Sequence, residues 1–226
     1  MPKKQREPLK KYFELETSEI EIGIDEAGRG PMFGRVYAGA AVLPKNDEYK
    51  HELMKDSKKF SSEKKIKVAA NYIKENALAW GVAYSSAEDI DIYNIRKATH
   101  MAMHKAITQV MEKLGLNNDY HLLVDGNDFT IYSKLRNNSL ITERHTCIKH
   151  GDDKYTPIAA ASILAKVERD EYITKLCEED ESLNEKYGIL NNKGYGTKQH
   201  MDGILEYGIT KYHRRTFGIC KNYQIN

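Results

Sequence analysis

The sequence has few of the residues that staple, anchor or divide a chain. Cysteines number three in 226 residues, Cys147, Cys177 and Cys220. An odd count without CxxC pairing argues against a disulfide framework and a cysteine zinc site, and it fits a reducing compartment. There are five prolines and no Gly/Ser run, so no linker is evident and residues 1–226 read as a single domain. Long apolar runs are missing as well. Tyr37 to Leu43 falls far short of the ~20 residues that span a bilayer, and the N-terminal MPKKQREPLKKY lacks the apolar centre of a signal peptide. The expectation is a soluble, cytoplasmic protein with no membrane partner.

Charge of one sign is also scarce, since 35 basic and 33 acidic residues leave a net +2. Its distribution is uneven. Lys3, Lys4, Arg6, Lys10 and Lys11 face only Glu7 before Phe13, and Lys186, Lys193, Lys198, Lys211, Arg214, Arg215 and Lys221 face only Asp202 and Glu206 after Lys186. Tyrosines 187, 195, 207, 212 and 223 are interleaved with the C-terminal cations, a pattern suited to a nucleic-acid backbone with some stacking. A solvated, helix-rich tail is the plainer alternative.

What is present in abundance is concentrated at Ile20 to Leu43. Ile20, Ile22 and Ile24 alternate with polar or small residues, the period of two of a half-buried strand. The strand delivers Asp25 and Glu26, adjacent carboxylates that repel each other unless a proton or cation intervenes. Gly28, Arg29 and Gly30 follow, allowing bare N–H groups close to a ligand while one guanidinium supplies charge. A tight acidic turn between two strands remains the alternative. A dinucleotide fingerprint does not fit, because Gly28, Gly30 and Gly34 are not spaced as G-x-G-x-x-G and a second strand, not a helix, follows.

Further along, Ser61 or Ser62 caps a helix to about Asn76, Ala77 to Tyr84 reads as a strand, and Asn94 to Leu114 reads as a long helix introduced by SSAE at Ser85. His100 and His104 stand i, i+4, but neither a third ligand nor the glutamate of HExxH accompanies them. Tyr120 to Asp125 repeats the first design, an apolar strand ending in a carboxylate before glycine. Glu143 to Lys149 alternates as another strand, GDDK at Gly151 is a polar loop, and Thr156 with Pro157 starts a helix carrying Ser162, Lys166 and Asp170 on one face. An ion pair with Lys166 is the ordinary fate of Asp170. The sum is an α/β sheet of mixed strand direction. If Asp25, Glu26, Asp125 and Asp170 converge, four acids suit two Mg²⁺ or Mn²⁺ ions and phosphodiester hydrolysis, though spacing alone does not bring them together.

The blocks DEAGRGP, DSKK, VDGN, HGDDK with IAAASILAKVERD, NKGYGT and ITKYHRRTFG occur in an order that resembles type 2 ribonuclease H, most closely the ribonuclease HII form. The resemblance implies a ribonuclease H-like mixed five-stranded sheet flanked by helices, with a basic helical C-terminal extension over roughly residues 184–226. It implies an endoribonuclease that cuts the RNA strand of RNA/DNA hybrids and single ribonucleotides in duplex DNA, leaving 5′-phosphate and 3′-hydroxyl ends. It assigns metal binding to Asp25, Glu26, Asp125 and Asp170, the ribose 2′-hydroxyl to Gly28, Arg29 and Gly30, and sugar stacking to Tyr195. Lys58 and Lys154 match phosphate contacts, and Lys211, Arg214 and Arg215 are further candidates. Arg35, His150 and Pro157 depart from the usual pattern, with Arg35 expected to face solvent. No clamp-binding sequence is evident in the terminal NYQIN, and a monomer acting alone is expected. A DNA nuclease or strand-transfer enzyme of the same fold, or a non-catalytic nucleic-acid binder, are the competing readings.

Overall fold

The computed structural model describes residues 8–14 and 17–224. Lys3, Lys4, Arg6 and Glu7, which carry most of the expected N-terminal charge, lie outside the described residues, as does the end of NYQIN. The chain opens with the antiparallel pair β1 (Ile20–Ala27) and β2 (Val36–Val42). Helix α1 (Glu63–Asn76) follows, its Ser62 side chain accepting from the Lys65 N–H as the capping pattern requires. Strand β3 (Ala79–Ser85) pairs antiparallel with β2 and leads into α2 (Ala87–Leu114).

Helix α2 starts earlier than Asn94 because Ser86 and Asp89 form a reciprocal capping box. Asn94 (φ 65°) interrupts it, and its side chain accepts from the Lys97 N–H to begin the longer second part. Strand β4 (Tyr120–Asp125) is followed by an exposed hairpin, β5 (Ser133–Arg136) and β6 (Ser139–Thr142), and by β7 (Arg144–Ile148). The hairpin was not evident from alternation. Its turn is carried by Asn137 and Asn138 at φ 50° and 60°, a conformation that asparagine tolerates.

The main sheet has the order β3-β2-β1-β4-β7, with β4 parallel to β1 and to β7. It is therefore the mixed five-stranded sheet of the ribonuclease H-like fold. Ile22, Ile24, Leu122 and Val124 face the core under α2. Alternation turns Gly23 and Asp25 to the other face, where α3 (Thr156–Glu179) lies. That helix comes very close: a Cβ at Gly23 would fall 2.1 Å from the Pro157 carbonyl carbon, and one at Gly39 2.3 Å from the Ala161 oxygen. Small residues on both surfaces thus set the spacing that brings Ser162 up to Asp25.

Beyond α3, the short helices α4 (Ser182–Tyr187) and α5 (Ile189–Asn192) and the longer α6 (Lys198–Tyr207) form a smaller core. Leu183, Ile189, Ile204 and Ile209 pack there against Met32 and Phe33 from the β1–β2 connection. The C-terminal helices are thereby fastened to the loop that follows Asp25 and Glu26. No helix among the described residues is long and apolar enough to cross a membrane.

Candidate active site

Strands β1, β4 and β7 are parallel neighbours, so their carboxyl ends share one edge of the sheet. Ile24 stands opposite Val124 in the β1–β4 register, which sets Asp25 beside Asp125 one position further on. Just past β7 the chain turns through His150 (φ 56°) into Gly151 and Asp152. The Gly151 N–H donates to Asp125 Oδ1 at 2.6 Å, so one carboxylate fixes the turn that presents the next. Asp25, Glu26, Asp125 and Asp152 all line a cavity of about 400 Å³.

Asp170 was expected as the fourth acid, and the structure does not bring it into the cavity beside the other three. Ser162 and Lys166 do line the cavity, but Asp170 does not, and its carboxylate pairs with Lys166 Nζ at 2.7 Å. Eight residues beyond Ser162, roughly 12 Å along the helix axis, the Asp170 carboxylate turns to Lys166 instead of the cavity. Asp152 shares with Asp125 a neighbouring glycine beyond a strand end, but β7 is largely exposed and His150 and Gly151 intervene, so GDDK reads as a loop in the sequence.

Electrostatics mark the same site. Burial, then the neighbouring Glu26 and Asp125, hold the Asp25 pKa well above the ordinary carboxylate range, against the Ser162 hydroxyl and the Glu26 N–H. Burial raises Glu26 too, while Arg29, at 3.2 Å from its Oε1, works the other way. Asp152 is pushed up to about 6 by burial and by Asp125 and Asp56. Burial opposes the charge of Lys58, but Asp56, Asp152, Asp25 and Asp125 outweigh it and raise its pKa. Glu26 is paired with Arg29, but Asp25, Asp125 and Asp152 have no ion-pair partner among the described residues, and a hard divalent cation with oxygen ligands fits such a donor set.

Gly28, Arg29, Gly30, Lys58 and Tyr195 line the cavity as expected. A Cβ at Gly30 would meet the Tyr195 ring at 3.4 Å, so the glycine turn and the half-exposed tyrosine form one continuous surface. Gly28 (φ 91°) rests on Arg169, whose guanidinium would lie 2.2 Å from any Cβ there. Arg169 was not singled out in the sequence. It is buried and donates to the Lys193 carbonyl at 2.8 Å, tying α3 to the chain just before Tyr195.

Other expected contacts fall elsewhere. Lys154 does not line the cavity, and its Nζ donates back to the Lys149 carbonyl at 2.8 Å. Arg214 is wholly buried and donates to the carbonyls of Gly28, Arg29, Pro31 and Gly34 at 2.6–2.9 Å, so it is not available to phosphate. Arg215 is half exposed but pairs with Asp91 at 3.3 Å, and Lys211 lies over the Tyr212 ring. Arg35 is not turned to solvent. Its guanidinium is sandwiched between the rings of Tyr84 and Tyr172, 3.8 and 4.4 Å from their centroids. His100 and His104 both hydrogen-bond Thr130 at 2.8 Å, a structural use in place of metal binding.

A mixed sheet with its acids gathered where three parallel strands end is the ribonuclease H-like architecture. The ribonuclease H2 of Pyrococcus horikoshii shares it at a TM-score of 0.64, with 22% identity and coverage of 89% of this chain and 95% of that one. The Ribonuclease HII family model matches residues 22–220, and the chain belongs to that family. Ribonuclease HII of Parabacteroides distasonis is 45% identical over 203 residues, 90% of this chain and 92% of the relative. That of Bacteroides thetaiotaomicron is 44% identical over 212 residues, covering 94% and 96%. The protein is accordingly a type 2 ribonuclease H.

Proposed function

We propose that the protein hydrolyses the RNA strand of RNA/DNA hybrids and cuts on the 5′ side of single ribonucleotides embedded in duplex DNA. The observation that carries this reading is the contact of Gly30 with Tyr195 beside the four acids. A 2′-hydroxyl accepts as well as donates, so it suits the bare N–H groups of the Gly28–Gly30 turn, whose Gly28 and Arg29 carbonyls are already held by Arg214. The Tyr195 ring offers a flat apolar face to the sugar of the next nucleotide. Lys58 and Arg29 supply positive charge for the phosphate between them.

Asp25, Glu26, Asp125 and Asp152 would hold two divalent ions, Mg²⁺ or Mn²⁺. When bound, such ions lower the pKa of an attacking water and offset the charge on the departing 3′-oxygen. Water adds to phosphorus, the P–O3′ bond breaks and the 3′-oxygen takes a proton, leaving 5′-phosphate and 3′-hydroxyl ends. In this reading Asp170 keeps Lys166 oriented at the cavity rim. The chain works as a single subunit in this scheme.

The test is cleavage of a duplex bearing one ribonucleotide, with and without Mg²⁺. Metal-dependent cutting 5′ of the ribonucleotide is the expected result. Equal cutting of an all-DNA duplex would favour a DNA nuclease of the same fold instead.

A further inference from the structure

The Gly28–Gly30 turn and the Tyr195 loop both face the cavity, yet neither belongs to a helix or strand. Something else must hold them, because an unsupported loop would place the reading groups too loosely to discriminate one hydroxyl. The segment 210–214 contacts the first directly and reaches the second through His200. Its backbone lies along the loop after the glycine turn, where Phe33 and His213 form an antiparallel bridge, Gly34 N–H donates to the Tyr212 carbonyl at 2.8 Å, and Arg214 N–H donates to the Met32 carbonyl at 2.8 Å.

Two adjacent side chains then diverge. Arg214 Nη1 donates to the carbonyls of Arg29 (2.9 Å) and Pro31 (2.7 Å), Nη2 to Gly28 (2.6 Å) and Nε to Gly34 (2.9 Å). A planar fork with five N–H groups is the one side chain able to fix four carbonyls at once. With those oxygens turned inward to Arg214, the turn has a defined orientation before substrate arrives.

His213 works through a partner. Its Nδ1 accepts from the Thr210 N–H at 3.0 Å, so the single proton of the neutral ring sits on Nε2. That Nε2–H points at His200 Nε2, 3.1 Å away, which must accept. The His200 proton is therefore on Nδ1, and it donates to the Tyr195 carbonyl at 3.0 Å. Only this pair of tautomers satisfies every contact. Both rings are buried, and burial with the neighbouring His200 pushes His213 down to about 3, so the relay stays neutral under ordinary conditions.

We propose that His213 and Arg214 are the positioning residues of the ribose-reading surface, Arg214 setting the Gly28–Gly30 turn and His213, through His200, setting the Tyr195 loop. The proposal rests on the substrate reading above and adds the residues that give it selectivity without touching substrate.

The test joins spectroscopy with selectivity. Imidazole ¹⁵N shifts of the wild-type protein should show His213 protonated at Nε2 and His200 at Nδ1. His213→Phe keeps an aromatic ring but removes the donor, and Arg214→Lys keeps charge but loses the fork. Each should lower the ratio of kcat/KM for a single embedded ribonucleotide to kcat/KM for a long hybrid by roughly tenfold. Leu183→Ala, a cavity in the same small core, should lower stability and leave that ratio unchanged. The opposite tautomers, or an unchanged ratio in both variants of an enzyme that cuts both substrates, would overturn the proposal. A wild-type protein that cuts neither substrate would instead overturn the substrate reading, and this inference with it.

Discussion

At the scale of single residues, the site turns on which acids share the cavity and which have an ordinary partner. Asp152 has no cation within ion-pair distance among the described residues and faces Asp125 and Asp56, whereas Asp170 is neutralised by Lys166. Asp152→Asn keeps shape but removes a donor charge and should lower kcat/KM at saturating Mg²⁺ at least a hundredfold, whereas Asp170→Asn should cost under tenfold. Steady-state kinetics of the two variants decide it, and the reverse order would return Asp170 to the metal set. The same charge crowding predicts the pH behaviour of the metal-free protein. A carboxyl whose folded pKa is raised binds its proton more tightly in the native state. Asp152 then adds no penalty below about pH 4, where both states are protonated, and becomes destabilising as pH rises through its folded value of about 6. Asp25 and Glu26, also raised, act in the same direction. Metal-free thermal stability should therefore fall between about pH 4 and pH 6, and Mg²⁺ should restore it while releasing protons. Calorimetry in buffers of different ionisation enthalpy would detect that release, and metal binding without it would contradict the shifted acids.

Elements show how much of this was legible beforehand. The three acids at strand ends could be read because alternation and a following glycine are local signals, and strands β1 and β4 needed only their own residues to be recognised. Asp125 and Asp25 adjoin because those strands are parallel neighbours, a fact of tertiary pairing that no local pattern carries. The family resemblance supplied it. Asp152 escaped because its position depends on a hydrogen bond from Gly151 to a residue of another strand. Arg214 was misread for a similar reason: a basic tail looks solvent-facing until the carbonyls that surround one of its members are seen. The hairpin β5–β6 was missed because its exposed residues make no buried stripe. Close approach between elements is equally invisible in a single sequence, and it yields a test. Gly39→Ala would drive a methyl to within 2.3 Å of the Ala161 carbonyl, and α3 must lift from the sheet to admit it. A loss of about 1–3 kcal/mol or more in denaturant-derived stability is expected, with activity falling as Ser162 and Lys166 leave the cavity. Gly126→Ala is the control for space, since nothing lies within 4 Å of its Cβ, though its φ of 96° carries a backbone strain of its own.

For the whole molecule, the question is where a polyanion finds its counter-charge on a chain with a net charge of only +2. The C-terminal segment looked like the obvious basic surface. In the folded protein Lys193 pairs with Glu63, Lys198 with Asp202 and Arg215 with Asp91, and Arg214 is enclosed by carbonyls. Much of that charge is thus matched before any nucleic acid arrives. Lys58 and Arg29 stand differently, because they line the cavity among acids that divalent ions would neutralise. With the ions bound, the two cations are released from opposing carboxylates and become available to phosphate. Counterion release then gives a measurable distinction, since each phosphate neutralised contributes about −0.9 to the slope of log K against log salt. Binding would be measured with Asp125→Asn protein, so that cleavage does not interfere. Adding Lys58→Ala should reduce the slope by about one, whereas Lys211→Ala with Arg215→Ala should reduce it by no more than about one in total, because Arg215 must give up Asp91 to meet a phosphate. A loss near two from the double variant would mean that the Asp91 pair opens on binding and that the C-terminal surface carries the backbone after all. No change from Lys58→Ala would place the phosphate path outside the cavity, and with it the assignment of Gly30 and Tyr195 as the surface that reads the sugar.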